Sequence, residues 1–124
     1  MDARRSRRVS EALREELAEI VSFEMTDPRL EGAAVTAVNV SSDGRYAEVK
    51  IGVRGGQTEQ RQAQAALTHA AAFLRRQVAA RLPLRRVPEL RFSVGPWEDT
   101  EARVELLLRR AQKLRSRAAP EDAS

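Results

Sequence analysis

Pro83-Leu84-Arg85-Arg86-Val87-Pro88 is the stretch that most limits how this chain can fold. Upstream of it, Ala63, Leu67, Ala70, Leu74 and Val78 recur at helical spacing down to Leu82. Pro83 stops that helix, because its ring removes an N–H and clashes with the preceding turn, and Pro88 blocks resumption. Downstream, residues 89–94 alternate as a strand does, with Leu90, Phe92 and Val94 on the inward side. The alanine-rich helix therefore becomes the crossover into a strand, and the bridge between them presents Arg85 and Arg86. Two prolines remove backbone freedom there, so little ordering is left to do on binding.

The remaining elements follow from pattern. Val9, Leu13, Leu17, Ile20 and Val21, with glutamates between them, predict a helix over roughly residues 6–25. Pro28 closes that segment by pushing Asp27 out of the α region. Residues 35–40 (VTAVNV) and 46–53 (YAEVKIGV) read as strands, the second with Ala47, Val49, Ile51 and Val53 on one face and Tyr46, Glu48 and Lys50 on the other. The intervening Ser41-Ser42-Asp43-Gly44 is turn chemistry and predicts an antiparallel hairpin. Thr58 is the expected N-cap of the crossover helix, which over 58–82 would run about 37 Å at 1.5 Å per residue. A last helix over residues 98–114 carries Val104, Leu107, Leu108, Ala111 and Leu114 on one stripe.

The order α-β-β-α-β-α implies an α+β fold, a two-layer sandwich whose three-stranded sheet has helices on one face. Residues 1–7 read as a basic arm, 8–114 as the folded domain and 115–124 as a disordered tail. With 42% hydrophobic residues but only 4% aromatic, the core must be built from Leu, Val, Ile and Ala. No cysteine is present, which excludes disulfides and thiolate metal sites and suits a reducing cytosol. No apolar run approaches the ~18 residues of a membrane span, so a soluble cytoplasmic protein without membrane association is expected.

The net charge of +4 is unevenly spread. Residues 1–8 carry +3, residues 9–60 carry −5, residues 73–92 carry +5, and a third basic cluster falls in LLLRRAQKLRSR near the C-terminus. Clustered cations point to phosphate before any other common partner. Arg75, Arg76 and Arg81 on the helix, with Arg85 and Arg86 on the bridge, form the expected ledge for a polyanion. Arg4, Arg5, Arg7 and Arg8 stand ready to assist.

Order and motif together resemble the ribosome-binding factor A family, bacterial small-subunit assembly factors with a type II K-homology layout. The likeness rests on RRVSEALREELAEIV leading into DPRL (27–30), VTAVNVSSDGRYAEV (35–49), AL followed by AAAFLR (66–75), and LRRVPELRF (84–92), and spans about residues 7–112. The resemblance implies a non-enzymatic, cofactor-free RNA-binding monomer. Its implied partners are the free small (30S) subunit and its 16S rRNA, with other assembly factors such as assembly GTPases alongside. It further implies late subunit assembly and 5′-end rRNA processing, with phosphate contacts from Arg75, Arg76 and Arg85.

This chain departs from the family at the helix kink, where an Ala-x-Gly is replaced by Ala70-Ala71-Ala72. Alanine favours the helix over glycine by about 1 kcal/mol, which predicts a shallower kink or none. Gly95 and Trp97 also stand where the family has a polar pair; Trp97 is expected to cap the core beside the last helix. Gly52-Val53-Arg54-Gly55 spells a Gly-x-x-Gly but falls at a strand end and reads as a strand exit. The lone His69, within the alanine-rich helix, has no triad or metal spacing around it. A protein-interaction module and a general nucleic-acid binder are the rival readings. Salt- and nuclease-resistant binding, or equal retention on duplex DNA, would mark them.

Overall fold

The hairpin forms where the alternation places it. In the computed structural model, which describes residues 2–97 and 101–118, β1 (Ala33–Val40) and β2 (Tyr46–Val53) pair antiparallel, and Gly44 takes a φ of 74° in their turn. Asp43 fixes that turn, accepting from the Ser41 hydroxyl at 2.7 Å and the Arg45 N–H at 3.0 Å. A bulge at Thr36 shifts the register between Val35 and Ala37. β3 (Glu89–Pro96) lies parallel to β2 on its other side, so the sheet order is β1-β2-β3 and the sheet is mixed. Alternation does the rest: Ala47, Val49, Ile51 and Val53 are buried, while Glu48 and Lys50 face solvent with Arg91 and Ser93.

Helices cover the buried face. α1 (Ala3–Glu19) packs Leu13 and Leu17, both wholly buried, along β1 and passes into a π turn (Ile20–Glu24) that buries Ile20 and Val21. The helix begins at Ala3, capped by Asp2, whose carboxylate accepts from the Arg5 N–H at 2.8 Å. Arg4, Arg5, Arg7 and Arg8 thus ride on its first turns, and the basic arm expected over residues 1–7 is helical from Ala3. A capping side chain supplies the helix start that the apolar pattern, which begins at Val9, does not show. Asp27 then caps a 3-10 turn (Pro28–Leu30) that leads into β1 and buries Leu30.

At Ala70-Ala71-Ala72, where a shallower kink or none was expected, the crossover is broken. α2 (Gln57–His69) and α3 (Ala71–Arg81) are separate helices, broken at Ala70, whose φ of −91° and ψ of 2° lie outside the helical basin. That conformation has a negative φ, so alanine reaches it without the freedom glycine provides. The break is decided by packing. α2 lies on β3 and the 3-10 turn, whereas α3 leans onto α1. Local propensity, about 1 kcal/mol per residue at most, yields to burial of Leu67, Leu74 and Val78. Nor does Thr58 cap α2. Gly56 occupies the N-cap, and Glu59 reaches back to accept its N–H at 2.6 Å.

α4 (Glu101–Ala118) runs past residue 114, so residues 115–118 are helical where a disordered tail was expected; residues 119–124 lie outside the described ones. Its apolar stripe is not swallowed by the core: Leu108 and Leu114 are 60% and 56% exposed. An ion pair from Lys113 to Glu19, at 2.6 Å, joins α4 to α1.

Candidate nucleic-acid interface

The bridge at residues 83–88 is a loop pinned from both sides. Leu82, Leu84 and Val87 pack against the core and Pro88 is buried, which leaves Arg85 and Arg86 exposed at the apex. A short backbone bond from the Leu84 N–H to the Leu82 carbonyl (2.8 Å) tightens the exit from α3. Arg75 then stitches α3 to the bridge, its Nη2 donating to the Val87 carbonyl at 3.2 Å. Arg76, one residue on, points outward and is exposed. Among the described residues, no carboxylate pairs with Arg75, Arg76, Arg85 or Arg86. Four guanidiniums are therefore held near one corner with their charge uncompensated.

The topology adds the N-terminal arginines to the same end. Ser10 Oγ accepts the Val40 N–H at 2.9 Å, fixing that turn of α1 at the hairpin end of β1. The bridge meets the same end, because the Glu89 N–H donates to the Arg45 carbonyl at 2.8 Å and Glu89 lies beside Tyr46 in the register. α1 packs back along β1 from Ser10, so the turns before it project past the sheet, about 10 Å at 1.5 Å per residue. Arg4, Arg5, Arg7 and Arg8 are all exposed there.

Arg81 does not belong to the ledge. It is clasped by two carboxylates of the first helical segment, Glu16 at 3.6 Å and Glu24 through a short ion pair and hydrogen bond. The Glu24 bond and both negative charges hold its pKa above the ordinary arginine value. Its charge is already answered, so it braces α3 against α1. On a helical wheel Arg81 lies on the opposite flank of α3 from Arg75, which sequence spacing hinted at but could not assign to a partner. Phe73, 37% exposed, stands roughly 200° around the helix from Arg75, though one turn before the outward-facing Arg76.

Two arginines that sequence reading left out lie at the basic end but are partnered. Arg91 stacks over the Tyr46 ring at 3.6 Å and reaches Glu89 at 3.4 Å, while Arg45 approaches Asp43 at 4.0 Å. Their outward strand and turn positions were legible, their pairing was not. Of the family's kink position, Ala70-Ala71-Ala72, Ala70 holds the break, while Ala71 and Ala72 open α3, the helix that carries Arg75 and Arg76. Among the described residues, no group of His, Cys, Asp and Glu side chains is placed to hold a metal ion, and no helix is long and apolar enough to cross a membrane.

A mixed three-stranded sheet with helices on one face, a broken crossover helix and a basic corner at its exit define the class: an α+β domain of type II K-homology layout. Comparison with known proteins narrows this. The family model for ribosome-binding factor A matches residues 5–118. A ribosome-binding factor A from Solibacter usitatus is 56% identical over 117 residues, covering 94% of this chain and 95% of the relative, and one from Thermomicrobium roseum is 40% identical over 94% and 91%. The crystal structure of ribosome-binding factor A from Thermus thermophilus is similar at a TM-score of 0.65 and 32% identity, over 77% of this chain and 98% of that one. A Thermus thermophilus homology model fitted into a cryo-electron-microscopy map of a 30S complex matches at a TM-score of 0.53, 32% identity, and 77% and 94% coverage. The chain belongs to the ribosome-binding factor A family.

Proposed function

We propose that this protein binds the free small ribosomal subunit through its 16S rRNA, acts late in subunit assembly, supports maturation of the rRNA 5′ end and leaves before translation. It does so as a cytoplasmic monomer without catalytic chemistry or cofactor, alongside other assembly factors such as assembly GTPases. Family membership supports the reading, as does the Thermus thermophilus relative fitted to a 30S complex. The observation that carries the binding mode is the carboxylate-free set of Arg75, Arg76, Arg85 and Arg86 at a loop pinned by apolar anchors.

Backbone-directed grip suits such a surface. RNA is recognised largely through shape, phosphate and unpaired bases, and a preset guanidinium fork meets phosphate oxygens bidentately. Because the bridge is already ordered, its arginines lose little freedom on docking. Arg75 both faces the ligand and tethers the bridge, so the cleaner test reverses its neighbours. R76E/R85E/R86E should keep the wild-type circular dichroism spectrum and thermal midpoint and lose co-sedimentation with free small subunits. Undiminished co-sedimentation would refute the ledge.

A further inference from the structure

At the far end of the sheet a second pair of arginines converges on the sole tryptophan. Arg54 follows β2, and its N–H donates to the Gly32 carbonyl at 2.9 Å. Gly32 lies so close that a Cβ there would stand 3.4 Å from the Arg54 Cβ. The Trp97 N–H donates to the Val53 carbonyl at 3.0 Å, and its indole lies beside Gly52, where an added Cβ would come within 3.7 Å of the ring. The Arg54 guanidinium sits over that indole, 4.9 Å from its centroid. Arg110 comes across from α4, and with Glu31 and Gly32 these side chains line a cavity of about 350 Å³.

The electrostatics are those of a site short of an anion. Arg110 is half-buried; desolvation first and the Arg54 charge second push its pKa down. Among the described residues no ion pair joins Glu31, or any other carboxylate, to Arg54 or Arg110. An exposed Arg54 and a half-buried Arg110 thus line one cleft, and an incoming phosphate would offset both the burial of Arg110 and the repulsion between the two charges.

We propose that Arg54, Trp97 and Arg110 form a second ribonucleotide subsite, taking one phosphodiester between the guanidiniums and the adjoining base against the Arg54–Trp97 pair. A guanidinium-covered indole is a stacking platform for a base, which favours single-stranded RNA over an acidic peptide. The subsite rests on the rRNA-binding reading above and extends it to the opposite end of the β-strands. Eight residues at about 3.3 Å each put the two basic zones roughly 25 Å apart, so both can engage one folded RNA.

Trp97 reports on its own site. A short single-stranded oligoribonucleotide titrated into the full chain should quench or shift Trp97 emission, and should still do so in R76E/R85E/R86E. Arg110→Ala, with Arg54 left over the ring, and R54A/R110A should weaken that titration at least about tenfold. The double variant should also reduce the salt slope by about 0.7, for one phosphate on a single strand. Their circular dichroism and thermal midpoints check folding. Wild-type affinity and quench in R54A/R110A would overturn the subsite while leaving the ledge standing. A response to poly-glutamate but none to RNA would also overturn it, in favour of an acidic protein partner. Failure of R76E/R85E/R86E to lose subunits would refute the first reading without touching the Trp97 signal.

Discussion

Arg81 and Arg76 are five residues apart in one helix and have different jobs. Arg76 is exposed without a carboxylate partner among the described residues, whereas Arg81 lies between Glu16 and Glu24. All three side chains of that clasp remain 26–32% exposed, so solvent screens it and its worth is modest. Arg81→Ala should lower stability by about 1 kcal/mol, read as a fall in the thermal midpoint, and leave affinity for small subunits unchanged. Lost affinity with unchanged stability would return Arg81 to the ledge. The distinction was out of reach of the sequence, where both residues read as cations on one basic run. Glu24 is 57 positions away, and only the lean of α3 onto the first helix brings it to Arg81.

Among the elements, those written in local pattern were readable and those decided by contact were not. The hairpin and β3 sit where alternation and turn chemistry put them, because a strand with one buried face must alternate and Asp43 and Gly44 suit only a turn. The break at Ala70, where a shallower kink or none was expected, follows from packing of α3 on α1 that propensity does not register, and Gly56 with Glu59 caps α2 in place of Thr58. The 3-10 turn at Pro28–Leu30 is a local element with a testable pH signature. Asp27 accepts from the Arg29 backbone at 2.9 Å and pairs with its guanidinium at 2.6 Å, and these bonds lower the carboxyl pKa to about 2. A carboxyl depressed in the folded state below its unfolded value of about 3.9 stabilises fully above pH ~4 and loses that contribution as pH falls toward 2. Wild-type stability should therefore fall more steeply between pH 4 and 2 than that of Asp27→Asn, in urea melts across that range. Parallel curves would mean the ion pair is inconsequential.

Taken whole, the molecule is a small sandwich whose larger basic zone lies at the hairpin end of its sheet, an arrangement that would make binding to RNA steeply salt-dependent. If the ledge and the first turns of α1 neutralise about six phosphates of unpaired RNA, affinity for small subunits should drop a few-hundred-fold between roughly 50 and 200 mM salt. A nearly flat response in a sedimentation or filter-binding titration would point to contacts with ribosomal protein in place of rRNA. The linear chain carried the element types, the family motifs and the presentation of Arg85 and Arg86, all of which are set by period, proline geometry and turn residues within a few positions. Folding decided which cations stay available. Screening by a carboxylate depends on a separation of a few ångströms between residues far apart in sequence, and that distance exists only once the helices have packed.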